Sequence, residues 1–151
     1  MIVVKRTNSK HPDFVAMVAL LDEDLAKRDG DEHAFYAQFN NIDHIEHALV
    51  AYMDKTPLGC GAVKEFSKDS VEVKRMYVSP QSRGQGIGAK ILSELERWAA
   101  ELSYKKCVLE TGKKQPEAIA LYKKAGYKVI SNYGQYKGVE NSVCFQKLLA
   151  P

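Results

Sequence analysis

A glycine-rich stretch after an arginine is the part of the sequence that most directly suggests binding chemistry. Residues 83–88 read RGQGIG, and an apolar run compatible with a helix follows at residues 89–102. Glycine lets backbone N–H groups approach a ligand because no Cβ stands in the way. The following helix adds unpaired N–H groups and the positive end of its dipole. The stretch therefore predicts an anion site, with phosphate as the usual ligand and Arg83 as an added charge.

Two other phosphate-binding patterns and a simple turn are the alternatives for this stretch. A Walker loop needs Gly-Lys followed by Ser or Thr, which is missing. The dinucleotide pattern G-x-G-x-x-G/A is met by Gly84, Gly86 and Ala89, and Glu110 ends the next strand, where an acid that binds ribose belongs. Against it, residues 79–83 separate the strand from the first glycine, and the chain after Glu110 is too short for a second half-sheet. A tight turn into a helix is the structural alternative, but it does not require three spaced glycines and an arginine.

The elements that must position this loop follow from apolar periodicity and turn signals. Strands are predicted at residues 2–6, 47–53, 58–66, 71–78, 105–111, 128–133 and 142–149, and helices at residues 11–30, 31–42, 89–102 and 115–125. Tight turns between the second, third and fourth strands imply an antiparallel meander, whereas residues 71–110 form a parallel strand–helix–strand crossover. The predicted class is α/β (α+β on a stricter definition), with a mixed sheet of about six to seven strands flanked by about four helices.

Length and composition limit the class of protein. The 151 residues fit one domain, residues 1–151. The net charge of +3 is too small to indicate nucleic acid, and no apolar run approaches the roughly 20 residues of a membrane span. Cys60, Cys107 and Cys144 have neither disulfide nor zinc spacing, so we expect buried thiols and no metal. We expect a cytoplasmic protein without nucleic-acid or membrane partners.

Two segments carry a resemblance to a known family. VEVKRMYVSPQSRGQGIGAKIL, residues 71–92, resembles the acetyl-CoA-binding signature of the GNAT superfamily of N-acetyltransferases. Its core pattern, Arg/Gln-x-x-Gly-x-Gly/Ala, is met by Arg83, Gly86 and Gly88. LETGKKQPEAIALYKKAGY, residues 109–127, is similar to the next strand and helix of that superfamily. The resemblance covers roughly residues 47–149 and implies a GNAT-like fold, acetyl-CoA as co-substrate and acetyl transfer to a primary amine by direct attack in a ternary complex.

The resemblance also implies how the co-substrate binds. The glycine loop would hold the pyrophosphate on its backbone N–H groups, and the pantetheine arm would pair like an extra strand with the end of the strand at 71–78, where parallel strands splay. The residues expected to bind acetyl-CoA are Met76, Tyr77, Val78, Arg83, Gly84, Gln85, Gly86, Ile87, Gly88, Ala89 and Gln115. Gln115 stands where many relatives have Asn, so the contact it makes departs from the family pattern.

Three catalytic residues follow from the same resemblance. Tyr122 matches the position of the acid that protonates the departing thiolate, and its structural alternative is a ring packed on the sheet. Glu110 matches the base of the ribosomal-protein branch, and Glu72 matches that of the histone-type branch. Glu110 is placed slightly ahead because it keeps the spacing to Tyr122. The structural alternatives are a strand-end acid capping the next turn for Glu110, and a solvated strand face paired with Lys74 or a neighbouring lysine for Glu72.

The acceptor is the part that the sequence determines least. A small-molecule or peptide amine is expected, and a homodimer stays open. Acids in the first two helices (Asp22, Glu23, Asp24, Asp29, Asp31 and Glu32) could attract a cationic amine, although such a run is also typical of a solvated helix face. Tyr133 and Tyr136 could line the acceptor pocket. A non-catalytic domain that binds acyl-CoA or a nucleotide as a sensor is the alternative function.

Overall fold

A seven-stranded mixed sheet forms the centre of the computed structural model, which describes residues 1–29 and 45–149. Its strands are β1 (Ile2–Thr7), β2 (His47–Met53), β3 (Thr56–Ser67), β4 (Ser70–Val78), β5 (Lys106–Gly112), β6 (Lys128–Ile130) and β7 (Ser142–Leu148), and its helices are α1 (Pro12–Asp29), α2 (Ile87–Glu101) and α3 (Pro116–Lys124). The spatial order is β1-β2-β3-β4-β5-β7-β6. All seven predicted strands are confirmed.

One predicted element differs from the structure, and another falls outside it. The described part of the chain holds three α-helices where about four were predicted, and the helix predicted at residues 31–42 lies outside the described residues. The strand predicted at 128–133 ends at Ile130. The side-chain amide of Asn132 donates to the carbonyls of Val139 and Ser142, at 3.0 and 3.2 Å, and draws the chain away from the strand ladder.

The parallel crossover predicted at residues 71–110 is confirmed as β4–α2–β5. The strands β1 to β4 pair antiparallel in sequence order, and β7 lies antiparallel between β5 and β6. The parallel pair β4–β5 covers only three residue pairs, from Ser70↔Lys106 to Glu72↔Val108. Beyond Glu72 the two strands diverge, which is the splay that the resemblance implied.

A β-bulge changes the direction of side chains in the diverging half of β4. The partners Cys60↔Tyr77 and Ala62↔Lys74 show one extra residue on β4, and Arg75 there adopts a φ of +61°. Such a left-handed conformation is uncommon for a residue with a Cβ. The Cys60 thiol donates to the Arg75 carbonyl at 3.2 Å, and the buried Arg75 guanidinium donates to Asp22 of α1 at 2.9 Å. The bulge is therefore held from both the strand side and the helix side.

Apolar side chains cover both faces of the sheet. On one face, Ile91, Leu92 and Leu95 of α2 pack with strand residues and with α3. On the other, Phe14, Met17, Val18 and Leu21 of α1 pack on Val50, Ala62 and Tyr77. The expectation of three buried thiols is confirmed for Cys60, Cys107 and Cys144, which are free cysteines. Among the described residues, no helix is long and apolar enough to cross a membrane.

Candidate active site

A cavity of about 580 Å³ opens where β4 and β5 diverge. Its walls come from α1, the second half of β4, the glycine loop, the first turn of α2, the end of β5 and α3. The predicted site residues that line it are Glu72, Met76, Tyr77, Val78, Arg83, Gly84, Gly86, Ile87, Gly88, Ala89, Glu110, Gln115 and Tyr122. Gln85 is exposed and is not among the lining residues. The structure therefore brings together all of the predicted site residues except Gln85.

Two of the three glycines have the backbone conformation that suits an anion site. Gly84 and Gly86 have φ values of +82° and +78°, and a Cβ on either would meet no other atom within 4 Å. Their glycine identity thus serves backbone conformation and open space rather than packing. Gly86 is the N-cap of α2 and provides no side-chain cap for the first N–H groups of the helix, and the first turn of α2 lines the cavity.

The third glycine has a different role. Gly88 lies inside the first turn of α2, so the helix begins two residues earlier than the predicted residue 89. A Cβ on Gly88 would stand 3.2 Å from the side chain of Leu121, because α3 packs closely against this turn. Gly88 therefore serves the approach of α2 and α3, in addition to lining the cavity.

Arg83 points along the strand end and toward α1. Its Nε donates to the Val78 carbonyl at 2.9 Å, and its guanidinium lies 3.9 Å from the Asp24 carboxylate and 5.8 Å from the centre of the Tyr77 ring. Asp22 pairs with Arg75 in a similar way. Two of the acids predicted to attract a cationic amine are thus engaged with arginines of the protein, and Asp31 and Glu32 lie outside the described residues.

We call the lining residues Glu72, Lys74, Glu110 and Tyr136, together with Tyr133 behind Glu72, the inner end of the cavity. Of the two tyrosines predicted to line the acceptor pocket, Tyr136 lines the cavity, whereas Tyr133 is not among the lining residues. Glu72 is buried, and its Oε2 accepts a 2.6 Å hydrogen bond from the Tyr133 hydroxyl. Its Oε1 lies 3.8 Å from Lys74 Nζ. The predicted pairing with Lys74 is confirmed, but the solvated surface proposed with it is wrong, because this face of the strand is covered.

The second acid, Glu110, is half-buried at the end of β5. Its Oε2 accepts a 2.6 Å hydrogen bond from the Ser142 hydroxyl of β7. This partner comes from a neighbouring strand, and the bond holds the carboxylate against the sheet. Glu110 and Glu72 both line the cavity.

Lys74 lies on the same face of β4 as Glu72 and lines the cavity together with both carboxylates. Burial lowers the pKa of its ammonium group, and the charges of Glu72 and Glu110 oppose that effect. Its side chain is only 12% exposed, which is unusual for a lysine. Lys74 is the functional candidate that sequence reasoning missed, although the alternation of side chains in VEVKRM places residues 72 and 74 on one face.

Tyr122 lies on the inward face of α3, two turns after Pro116, which occupies the first position of that helix as predicted. Its ring packs 5.9 Å from that of Tyr127 and 6.0 Å from that of Phe145. Burial raises the pKa of the Tyr122 hydroxyl, and the charge of Glu110 raises it further. The phenol therefore stays protonated at neutral pH, as a proton donor must.

Comparisons with known proteins agree with this architecture. The family model described as Acetyltransferase (GNAT) family matches residues 14–127. The chain is 39% identical over 89 residues to an IAA acetyltransferase of Azospirillum brasilense, covering 58% of each chain. A Klebsiella pneumoniae structure assigned as an acyl-CoA N-acyltransferase has a TM-score of 0.83 at 28% identity, covering 99% of both chains.

Another structure shares the fold alone. A PaiA N-acetyltransferase of Thermoplasma acidophilum, solved in complex with coenzyme A, has a TM-score of 0.73 at 17% identity, covering 98% of this chain and 99% of that one. The chain spans about half the length of the curated relatives it matches. The family model covers well over half of this chain, from α1 to the residues after α3. Together with the splayed β4–β5 pair and the glycine loop, this match shows that the chain belongs to the GNAT family of acetyltransferases.

Proposed function

We propose that the protein transfers an acetyl group from acetyl-CoA to a primary amine by direct attack within a ternary complex. The observation that carries the proposal is that one cavity joins the glycine loop to Glu110 and Tyr122. The loop suits a pyrophosphate because Gly84 and Gly86 leave open space beside a helix N-terminus. Acetyl-CoA supplies the electrophilic thioester carbon.

The glycine-loop end and β4 would hold the co-substrate. Backbone N–H groups of residues 84–89 suit the pyrophosphate oxygens, and Gln115 borders the cavity beside them. The stretch of β4 after Glu72 is open toward β5, so its backbone can pair with an extended ligand. In the same fold, PaiA N-acetyltransferase was solved with coenzyme A, which supports this ligand class.

The inner end would prepare the amine. An amine is protonated at neutral pH and attacks only after losing a proton, which a carboxylate can accept directly or through water. We assign this role to Glu110, because it keeps the spacing to Tyr122 that the family resemblance implies and lines the same cavity as Tyr122. The nitrogen forms a bond to the acetyl carbon as the carbon–sulfur bond breaks. Tyr122 donates the proton that converts the departing thiolate to a thiol.

Two measurements test the proposal. Titration calorimetry should detect micromolar binding of acetyl-CoA and no measurable binding of NAD(H). Incubation with acetyl-CoA and a panel of amines should release free thiol faster than the protein-free background, and faster than the Glu110→Gln variant. Tight NAD binding without acetyl-CoA binding would overturn the ligand, and acetyl-CoA binding without thiol release from any amine would favour a sensor.

A further inference from the structure

The inner end of the cavity presents charges of alternating sign. On one face of the diverging sheet, Glu72 and Lys74 follow each other along β4, and Glu110 stands on β5. The last β4–β5 pair is Glu72↔Val108, so Lys74 and Glu110 lie two residues beyond it on the two diverging strands, and both line the cavity. An amine bound at Glu110 therefore shares this part of the cavity with the Lys74 ammonium group.

The position of Lys74 is held by partners that do not need a ligand. Glu72 lies 3.8 Å from its Nζ, and the Tyr133 hydroxyl fixes the other oxygen of Glu72 at 2.6 Å. The Tyr133 ring is itself wedged between Phe66, at 4.8 Å, and Tyr136, at 5.9 Å. The Lys74 ammonium group is thus held beside Glu72 on the acceptor side of the cavity.

A buried charge selects its neighbours strongly, because charges interact more in a site shielded from water than in bulk solvent. A diamine or polyamine would bring a second cation toward Lys74 and be disfavoured. A simple alkylamine would bring Lys74 no anion in addition to Glu72, and the N-terminus of a peptide would bring only an amide carbonyl. A carboxylate one carbon away from the amine would form a charge-assisted hydrogen bond with the ammonium group.

We propose that the acceptor is a free α-amino acid, bound as a zwitterion with its ammonium group at Glu110 and its carboxylate at Lys74. This rests on the proposed acetyl transfer and names the acceptor class for that same site. Glu110 takes one proton from the ammonium group, and the nitrogen forms the bond to the acetyl carbon as the carbon–sulfur bond breaks. Tyr122 gives its proton to the departing sulfur, so coenzyme A leaves as the thiol, and the second proton lost by the nitrogen restores the Tyr122 hydroxyl. The product is an N-acetyl amino acid whose carboxylate stays at Lys74 until release.

The test compares acceptors that differ only beside the amine. Alanine, leucine and phenylalanine are each assayed with their own amide and their own decarboxylated amine, by thiol release at saturating acetyl-CoA. The wild-type protein should use at least one amino acid with a kcat/KM about tenfold or more above that of its amide and its amine. Calorimetry on the protein saturated with coenzyme A should also detect binding of that amino acid and not of its amine.

Variants separate the charge of Lys74 from its packing. Lys74→Met should lower kcat/KM for the amino acid by roughly 10- to 100-fold, the size of a lost charge-assisted hydrogen bond, with little change for the decarboxylated amine. Lys74→Arg should restore much of the preference. Because each substrate is compared with itself across variants, differences in amine basicity cancel. Lys124→Met, at an exposed lysine lining the same cavity, should leave the preference unchanged.

Each other outcome contradicts the inference. Faster turnover of the amides, of the decarboxylated amines or of polyamines by the wild-type protein would overturn it while leaving acetyl transfer intact. An amino-acid preference that survives Lys74→Met in a folded variant would also overturn it. If acetyl-CoA binds and none of a broad amine panel releases thiol, the proposed function itself fails, which is a different result.

Discussion

The glycine-loop end of the cavity is formed mainly by backbone groups, whereas the inner end is formed by side chains. At the glycine-loop end, Gly84 and Gly86 line the cavity, and a Cβ on either would meet no other atom within 4 Å. At the inner end, side chains from β4, β5 and the loop before β7 form a hydrogen-bonded group. A backbone site can hold any ligand with the same phosphate group, whereas a side-chain site can differ with a few substitutions. A short sequence motif therefore predicts the class of co-substrate, but no such motif predicts the class of acceptor.

The first prediction concerns Glu110 as the general base. Glu110→Gln should lower turnover by roughly 100- to 10,000-fold, the range of lost general-base catalysis, with acetyl-CoA affinity nearly unchanged. Activity should partly return at higher pH, where more of the amine is already deprotonated. Steady-state thiol release across pH, together with calorimetry for acetyl-CoA, measures both effects.

Glu72→Gln is the matched comparison for that variant. It removes a carboxylate of the same cavity, but one already engaged by Tyr133 and Lys74. We expect a smaller loss of turnover and no recovery at high pH. If Glu72→Gln shows the pH-dependent recovery and Glu110→Gln does not, the base has been assigned to the wrong strand.

The second prediction tests whether Tyr122 acts chemically or only packs. Tyr122→Phe keeps the ring between Tyr127 and Phe145 and removes the hydroxyl. Turnover should fall by roughly 10- to 1000-fold, the scale of lost proton-transfer assistance, while acetyl-CoA affinity and the melting temperature change little. Thiol-release kinetics and thermal unfolding decide the point. Turnover near that of the wild-type protein would make Tyr122 a packing residue only.

The third prediction contrasts two glycines. Gly86→Ala should weaken acetyl-CoA binding by about tenfold, since a methyl group enters the open space at the loop; its positive φ also costs roughly 1 kcal/mol of stability. Gly59→Ala should mainly lower stability, because its Cβ would stand 2.6 Å from the Tyr77 carbonyl oxygen. We expect a loss of roughly 1–3 kcal/mol in the free energy of unfolding.

Calorimetry and urea unfolding on both glycine variants give the comparison. Unchanged acetyl-CoA affinity in a folded Gly86→Ala protein would mean that the loop glycines serve the turn and not the ligand. The Gly59→Ala protein, tested well below its unfolding midpoint, shows how far a packing defect alone affects affinity.

The fourth and smallest effect concerns the bond that fixes Glu72. Tyr133→Phe should cost roughly 1–2 kcal/mol at neutral pH, because a buried hydrogen bond to a carboxylate is lost. Tyr104→Phe removes a bond of the same 2.6 Å length, to Glu65 at the surface, and should cost less than about 0.5 kcal/mol. Equal losses for the two variants would mean that burial gives the Tyr133 bond no special weight.

The same variant has a predicted pH dependence. Burial raises the pKa of Tyr133 above its unfolded value, and the charge of Glu72 raises it further. The stability that this protonated phenol provides is fully present below the unfolded tyrosine pKa of about 10 and declines as pH rises above it. The difference in unfolding free energy between wild type and Tyr133→Phe should therefore narrow above about pH 10, as urea titrations can measure.

The order of strands and helices was predictable because its signals are local. The change from two-residue alternation in VEVKRMYV to helical spacing after the glycines identified β4–α2–β5 without knowledge of contacts. The bulge at Arg75 left no such signal, since a positive φ at an arginine follows from tertiary contacts with Cys60 and Asp22.

The site was predictable in part for the same reason. The glycine motif lies within one stretch of chain, so Gly84 and Gly86 could be identified from sequence. The hydrogen bond between Glu72 and Tyr133 joins residues 61 positions apart, and only the folded sheet brings them together. Lys74 could be placed beside Glu72 by alternation, but its burial depends on elements far along the chain.

The three-pair junction between β4 and β5 has a consequence for local motion. This junction and the α2 crossover join a four-stranded half-sheet to a three-stranded one, and the edge of β4 beyond Glu72 faces the cavity. Amides on that edge have no neighbouring strand to slow exchange with solvent deuterium, in contrast to amides between β2 and β3. Acetyl-CoA bound between the diverging strands would contact this edge of β4 and slow deuterium uptake, most of all at the amides of Met76 and Val78.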